Sequence, residues 1–314
     1  MSPVAGRVPV RHLVRGASAG LLLAVPLLAA CSDGGDEEPA SDRAVAGEVV
    51  AAGQTAPVAG LATEQTAVVG LPSGVVSLGF ATDLGDALDE GVGEPVSADD
   101  GDVLLGITWD RDRLTGRSAQ LREVLTGDPI RDTAPAPEVS LQVEGESYPL
   151  PGLAAPEQPR GQTVVAVPEA AAADAELTIT YDGQGQTVEV ATGRVEAGIA
   201  APLAEPAALE HGSAECDPAE FSARDSLTSA CGVERWFDTP YVADLGWSET
   251  GTWVVVDLTG QGWRRARVDG DSTPQQLPAR AGHLTRLAFL VDPADQHTLE
   301  LTFPAGSVQR IPLG

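Results

Sequence analysis

Short stretches of alternating apolar and polar residues recur along most of the chain. Val139, Leu141 and Val143 alternate with polar residues, and residues 177–181 show the same pattern. A period of two residues is typical of a strand with one buried face. Further strands are predicted at 47–52, 67–70, 75–80, 163–167, 233–237, 241–245, 287–291 and 309–312. Because Gly, Pro, Asp and Ser separate these runs and strands do not alternate with helices, the pattern predicts an all-β chain of sandwich type.

A weak internal duplication relates the two halves of the chain. Three strings recur in the same order: 102–105 with 252–255, 142–147 with 267–272, and 177–181 with 299–303. The dipeptides Glu144-Gly145 and Asp269-Gly270 fall where tight hairpin turns are expected, because glycine tolerates positive φ. The offset between the halves falls from 150 to 125 residues between the first two matches. The first half therefore carries an insertion, which includes a helix-like stretch at 118–125.

These observations divide the chain into five parts. An N-terminal leader and a polar tether precede the folded body, and a stretch rich in alanine and proline separates two sandwich domains. The predicted boundaries are 1–30 for the leader, 31–43 for a flexible acidic tether, 44–199 for domain 1 with its insertion at 110–138, 200–211 for a linker and 212–314 for domain 2.

The leader has the features of a secretory signal peptide. Arg7, Arg11 and Arg15 precede an apolar run that ends at Ala30. This run is too short to span a bilayer, which takes about 20 apolar residues. A basic head, a short apolar core and a small-residue exit indicate a cleaved leader. The exit, residues 28–31, resembles the lipobox of bacterial lipoproteins, and the resemblance implies that Cys31 is acylated and becomes the first mature residue.

Charge and composition limit the kinds of molecule that the chain can bind. The chain has 46 acidic and 19 basic residues, and removal of the leader leaves 16 basic residues and a net charge of −30. Such a charge repels nucleic acid, so we expect no nucleic-acid binding. The sequence has no lysine and no asparagine, which we interpret as the bias of a high-GC genome or as adaptation to salt. Lysine-based catalysis is thereby excluded.

With these features in place, the chain resembles the Ig-like or telokin-like β-sandwich domains of bacterial, specifically actinobacterial, surface lipoproteins of unknown function. The resemblance rests on the lipobox with its acidic tether, the strand at 103–108, the hairpin at 143–147 and the strand at 177–181. It implies two Ig-like β-sandwich domains held outside the cell by a lipid, with no cofactor.

The cysteine count fits export. If Cys31 carries lipid, Cys216 and Cys231 remain as a pair that would be oxidised outside the cytoplasm. The enclosed segment starts with Asp217-Pro218, a capping residue followed by proline at the first helical position. We therefore predict a disulfide that fixes one short helical turn in domain 2.

Candidates for chemistry are few. Histidines and cysteines show no metal-ligand spacing, so no zinc or copper site is predicted. Calcium is a weaker hypothesis, since carboxylates cluster without completing an EF-hand loop, and solvated turns are the alternative. The calcium candidates are Asp99, Asp100, Asp102, Asp110 and Asp112.

A cluster of aromatic and basic residues in domain 2 is the remaining candidate. Its members are Trp236, Trp247, Trp263, Arg264, Arg265 and Arg267. An exposed patch of this composition suits a protein partner or a glycan. The alternative is that the tryptophans fill the core and that the arginines pair with carboxylates of the same chain.

The functional hypothesis from sequence is a lipid-anchored extracytoplasmic protein that acts as a non-catalytic binding or assembly module of the cell envelope. Its partners would be the membrane, through the lipid, and another envelope protein or a glycan. One alternative is a solute- or glycan-binding lipoprotein that uses the aromatic and arginine face of domain 2. The other is an envelope hydrolase, which would require a histidine hydrogen-bonded to a serine in a cleft.

Overall fold

The computed structural model describes most of the chain from Arg43 onward. The described residues are 43–44, 46–53, 65–82, 84, 97–112, 118–127, 135–155, 158–227, 230–270, 273–278 and 284–314. Residues 41–314 belong to one compact unit. The leader, Cys31 and the tether up to Asp42 lie outside the described residues.

Strands dominate both halves, and this confirms the all-β prediction. The elements of the first half are β1 Arg43–Ala44, β2 Val49–Gly53, β3 Gln65–Leu71, β4 Gly74–Ala81, β5 Ser97–Ala98, β6 Asp102–Asp112, α1 Ala119–Thr126, β7 Glu138–Val143, β8 Glu146–Pro149, α2 Pro151–Ala154, β9 Arg160–Pro168, β10 Glu176–Tyr181, β11 Gln184–Glu189 and β12 Val195–Glu196. A 3₁₀ helix, Glu169–Asp174, joins β9 to β10.

The second half contains a similar number of strands. Its elements are β13 Glu210–His211, β14 Ala214–Glu215, β15 Ala230–Thr239, β16 Tyr241–Val242, β17 Gly246–Trp247, β18 Thr252–Gln261, β19 Arg265–Val268, β20 Gln275–Leu277, β21 Leu284–Val291, β22 His297–Thr302 and β23 Val308–Leu313. Short 3₁₀ helices lie at Gly198–Ala204, Pro206–Leu209, Pro218–Glu220 and Asp225–Leu227.

Each half is a two-sheet sandwich. In the first sandwich (β2–β12), one sheet has the order β2-β9-β6-β4-β3 and the other has the order β12-β11-β10-β7-β8. Alternating residues of both sheets, such as Val69, Ile107, Leu141 and Ile179, form one shared core. In the second sandwich (β13–β23), the sheet β13-β15-β18-β21-β20 faces the sheet β19-β22-β23.

The duplicated strings occupy equivalent strands. The matched pairs are β6 with β18, β7 with β19 and β10 with β22, and each pair holds the same place in its sheet. In the second sandwich the four strands β15-β18-β21-β20 face the three strands β19-β22-β23, which is the strand arrangement of an Ig constant-type domain. In the first sandwich β8 instead pairs with β7, and β2 lies beside β9.

The hairpin predicted after β7 is confirmed, and the one predicted after β19 is wrong. Glu144 and Gly145 both have positive φ and connect β7 directly to β8. Asp269 and Gly270 adopt nearly the same φ values, yet the strand that follows, β20, pairs with β21 in the opposite sheet. The backbone of the turn therefore has the predicted conformation without producing the predicted pairing.

The insertion of the first half contains the predicted helix. Ser118 caps α1 by accepting a hydrogen bond from the Leu121 N–H at 3.0 Å, and Gly127 ends the helix with a φ of 73°. Leu121, Val124 and Leu125 are buried. They do not join the core of their own sandwich but form a separate cluster with the second sandwich, including Phe237.

The second sandwich contributes in return to the core of the first. Tyr241, at the start of the β16-β17 hairpin, is a buried member of the first core, and Trp247 packs against it. The Trp247 Nε1–H donates to the Tyr181 carbonyl at 2.9 Å, and the Tyr241 hydroxyl donates to Asp182 at 3.0 Å. Burial raises the pKa of Tyr181 to about 12, so its hydroxyl stays protonated at neutral pH.

Residues 200–211, expected to be a linker, are packed within the structure. Two 3₁₀ helices and β13 cover this stretch, and Ala200, Leu203 and Leu209 are buried in the cluster that also holds α1. Gly70 of β3 lies against the backbone of Leu203 and Ala204, where a Cβ atom would approach to 2.2 Å. This stretch therefore connects the sandwiches through fixed contacts.

Candidate functional site

A groove lies where the connecting segment meets the second sandwich. We call it the junction groove, and its volume is about 870 Å³. One wall comes from the 3₁₀ helices and the other from the loops around β15, β18 and β21. The lining residues are Gly198, Ile199, Ala201, Pro202, Glu205, Ala208, Leu209, His211, Asp238, Pro240, Ser248, Gly251, Thr252, Pro293, Ala294 and Asp295. A groove of this size at a junction of sandwiches is within the range of ligand sites.

Among the described lining residues of the junction groove, His211 carries the only imidazole. Its ring stacks on Trp236 with centroids 3.7 Å apart. Burial lowers the pKa of His211, although the nearby carboxylates of Asp238 and Glu210 act in the opposite direction. The ring is therefore neutral at pH 7, so His211 does not offset the charge of Glu205, Asp238 and Asp295 on the groove walls.

The geometry expected of a serine hydrolase is not seen at these residues. The buried Ser248 hydroxyl donates to the Gly251 carbonyl at 2.8 Å, and His211 does not contact it. His297 is also buried, but its Nδ1 pairs with Asp269 at 2.6 Å and its Nε2 has no hydrogen-bond partner. In the described part of the chain, neither histidine is hydrogen-bonded to a serine.

A buried ion network joins α1 to the second sandwich. The Arg286 guanidinium donates from Nε and Nη2 to the two oxygens of Asp257, at 2.6 and 2.9 Å. Its Nη1 lies 3.3 Å from Glu123 on α1. Arg286 and Asp257 expose only 2% and 1% of their surface. Although burial opposes it, pairing with Asp257 and Glu123 holds the pKa of Arg286 above its usual range, so the network is charged.

The structure does not bring the six aromatic and basic candidates into one patch. Trp236 is 6% exposed and belongs to the core of the second sandwich. Trp247 donates a hydrogen bond to the Tyr181 carbonyl of the first sandwich. Trp263 packs against the core of the second sandwich. The three tryptophans therefore pack against the cores of the two sandwiches instead of forming one exposed patch.

Arg265 and Arg267 lie on β19, and Arg264 directly precedes this strand. Arg264 and Arg265 are exposed, and Arg267 is half-buried. Since strands alternate, Arg265 and Arg267 project from the outer surface of the sheet β19-β22-β23, while Ala266 and Val268 face the core. Sequence analysis missed Arg310, which projects from the same surface on β23. The register that links it to Arg267, through β22, is not visible in the sequence.

The disulfide between Cys216 and Cys231 is confirmed. The two Cα atoms are 5.8 Å apart, and 15 residues separate the cysteines in the chain. The predicted helical turn is present as the 3₁₀ helix Pro218–Glu220, and the Asp217 carboxylate accepts from the Ala219 N–H at 2.8 Å.

A buried carboxylate strengthens the enclosed loop. Asp225 accepts hydrogen bonds from Ser222, from the Ala305 N–H at 2.9 Å and from the Ser307 N–H at 3.2 Å. Burial alone would raise the pKa of Asp225, but these hydrogen bonds outweigh it and lower the pKa. The loop is thus attached to the turn between β22 and β23.

The calcium candidates fall at opposite ends of one strand. Asp99 and Asp100 precede β6, which begins at Asp102, whereas Asp110 and Asp112 lie at its far end. Asp110 pairs with Arg160 at 3.0 Å. Within the described ranges, no group of three or more His, Cys, Asp or Glu residues is arranged to hold a metal ion.

The lipidation candidate, Cys31, cannot be placed because it lies outside the described residues. None of the helices in the described residues is long and apolar enough to cross a membrane. No family model, curated protein or solved structure matches the chain.

Proposed function

We propose that the chain is a lipid-anchored extracytoplasmic protein that serves as a non-catalytic binding or assembly module of the cell envelope. The observation that carries the proposal is the pairing of the cysteines. Cys216 and Cys231 form a disulfide, which is typical of an oxidising compartment. Cys31 is left alone directly behind an export leader, at the position where a lipoprotein carries its lipid.

The strands of the first sandwich run between the start of the described chain and the connecting segment. The described chain enters at β1, which pairs with β5 just before the Asp102 end of β6. The other end of β6 pairs, through β4, with the end of β3 that contacts the connecting segment. Eleven residues of strand span about 35 Å. The described chain therefore starts at the end of the first sandwich opposite the connecting segment.

At His211 and His297, the histidines that the structure describes, no serine is hydrogen-bonded to the ring, which favours binding over hydrolysis. The junction groove contains His211 and Ser248, but Ser248 is committed to a backbone carbonyl. The buried position of Trp236 and the inward direction of Trp247 give no support to a glycan site built on an aromatic face. A pair of sandwiches joined by shared buried contacts fits an assembly role.

The test is the chemical state of position 31 in protein from the native host. We expect mass spectrometry to find a mature chain that begins at Cys31 and carries a mass increment of two or more acyl chains. The control Cys31→Ser should abolish the increment and release the protein from the membrane fraction, because one sulfur carries the whole anchor. An unprocessed start with a free thiol at position 31 would contradict the proposal.

A further inference from the structure

One outer surface of the second sandwich carries clustered positive charge in a strongly acidic chain. Arg267 on β19 is opposite Glu300 on β22, and Glu300 is in turn opposite Arg310 on β23. Arg265 lies on the same surface, two residues before Arg267, and Arg264 precedes it. We call the four arginines 264, 265, 267 and 310 the arginine face.

The arginine face is neutralised only in part by the chain itself. Arg310 pairs with Glu300 through a hydrogen bond of 2.9 Å. Arg267 donates to the Gly270 carbonyl and not to a carboxylate. No carboxylate in the described part of the chain pairs with Arg264 or Arg265. The chain has 46 acidic residues, so carboxylate partners for these arginines exist in the sequence. Because the described carboxylates do not pair with them, the surface retains positive charge.

The spacing of the arginines suits an extended chain. Arg265 and Arg267 are two residue steps apart on β19, about 6.8 Å, and Arg310 is two inter-strand spacings from Arg267 across β22, about 9.6 Å. An extended polypeptide laid along β19 has side chains of one face at the same two-residue repeat. Guanidinium groups bind carboxylates with two parallel hydrogen bonds, which lysine does not offer.

From these observations we infer that the arginine face docks an extended acidic segment of a partner protein, with alternate carboxylates of that segment paired to Arg265 and Arg267. This inference deepens the proposed binding role and rests on it. The two remain separable, because loss of docking would leave the lipid on Cys31 unchanged, and loss of the lipid would leave docking unchanged.

The experiment uses the full chain in detergent and a fluorescein-labelled peptide, GETETETEG, with GQTQTQTQG as its neutral counterpart. Fluorescence anisotropy should show saturable binding of the acidic peptide that weakens as salt rises, and no binding of the neutral one. The triple variant Arg264→Gln/Arg265→Gln/Arg267→Gln should weaken binding about 10-fold, as expected for loss of two or three exposed ion pairs.

Two further variants make the test decisive. The control Arg160→Gln/Arg194→Gln/Arg224→Gln removes the same charge from exposed positions elsewhere, and it should change the affinity less than 2-fold. Glu300→Gln removes the carboxylate that competes for Arg310 and should tighten binding about 3-fold. Because misfolding does not increase affinity, this gain reports on the surface itself.

Several outcomes would overturn the inference. Equal weakening by both triple variants would show a response to net charge alone. Equal binding of the neutral peptide would show that the carboxylates do not contribute to the interaction. Binding of inorganic polyphosphate with no binding of the acidic peptide would assign the surface to phosphate groups instead of a polypeptide.

Discussion

The two sandwiches share a core strand plan, and the most informative difference is the pairing of the strand that follows β7 or β19. After β7 the chain forms β8 on the same sheet, whereas after β19 it crosses to form β20 beside β21. The place next to β9 that would correspond to β20 is already occupied by β2. An additional N-terminal strand in the first sandwich thus accounts for the switch, since two strands cannot pair with the same edge. Strand pairing is decided by which edges are free, not by the turn alone.

The second difference concerns how each sandwich is supported. The second sandwich has a disulfide, a buried carboxylate and a buried ion network, whereas in the first sandwich the buried Arg111 and Gln186 donate to backbone carbonyls. Variants that remove these supports should therefore destabilise the second sandwich more than the first.

The largest effect is expected from the ion network. Asp257→Leu leaves Arg286 buried without its main partner, and loss of one partner of a buried pair costs about 3 to 5 kcal/mol. Urea unfolding followed by tryptophan fluorescence should show this decrease in the free energy of unfolding. The double variant Asp257→Leu/Arg286→Met removes both charges and should recover most of the loss. A double variant as unstable as the single one would contradict this account.

Removal of the disulfide should have the next largest effect. Cys216→Ser/Cys231→Ser opens a loop closed across 15 residues and should lower the free energy of unfolding by about 3 kcal/mol. The reduced wild-type protein is the matched control and should unfold at the same urea concentration as the variant. If reduction changed nothing, the bridge would not contribute to stability in solution.

The smallest effect is expected at the two equivalent turns, and it tests the comparison most directly. Gly145 and Gly270 have φ values of 85° and 89°, and a Cβ atom at either would meet nothing within 4 Å. Each glycine-to-alanine change should cost about 1 kcal/mol from backbone strain alone. Equal losses in urea unfolding would show that the turns are equivalent although the pairing is not. A much larger loss at Gly145 would mean that the hairpin depends on its turn.

Much of the fold could be predicted because it is encoded locally. The alternation at Val139 to Val143 and the capping sequence at Asp217 depend on neighbours in the chain, and both are found in the structure. The disulfide followed from counting cysteines. Sequence reasoning works best where a residue type, such as cysteine, has few possible structural roles.

The remaining features depend on contacts between distant residues. Composition alone suggested that 200–211 is a linker, but Leu203 and Leu209 are buried by partners from both halves. The pairing of Glu123 with Arg286 joins residues that no local pattern connects. Likewise, the arginine face needs Arg310, which joins it only through the register of β22 and β23.

Each half buries residues against the other half, and this matters when the chain is divided into two fragments. A fragment that ends before the connecting segment would leave Leu121, Val124 and Leu125 facing water, and a fragment that begins after it would leave Tyr241 uncovered. Such exposed apolar groups promote aggregation. Recombinant work should therefore keep both sandwiches in one polypeptide.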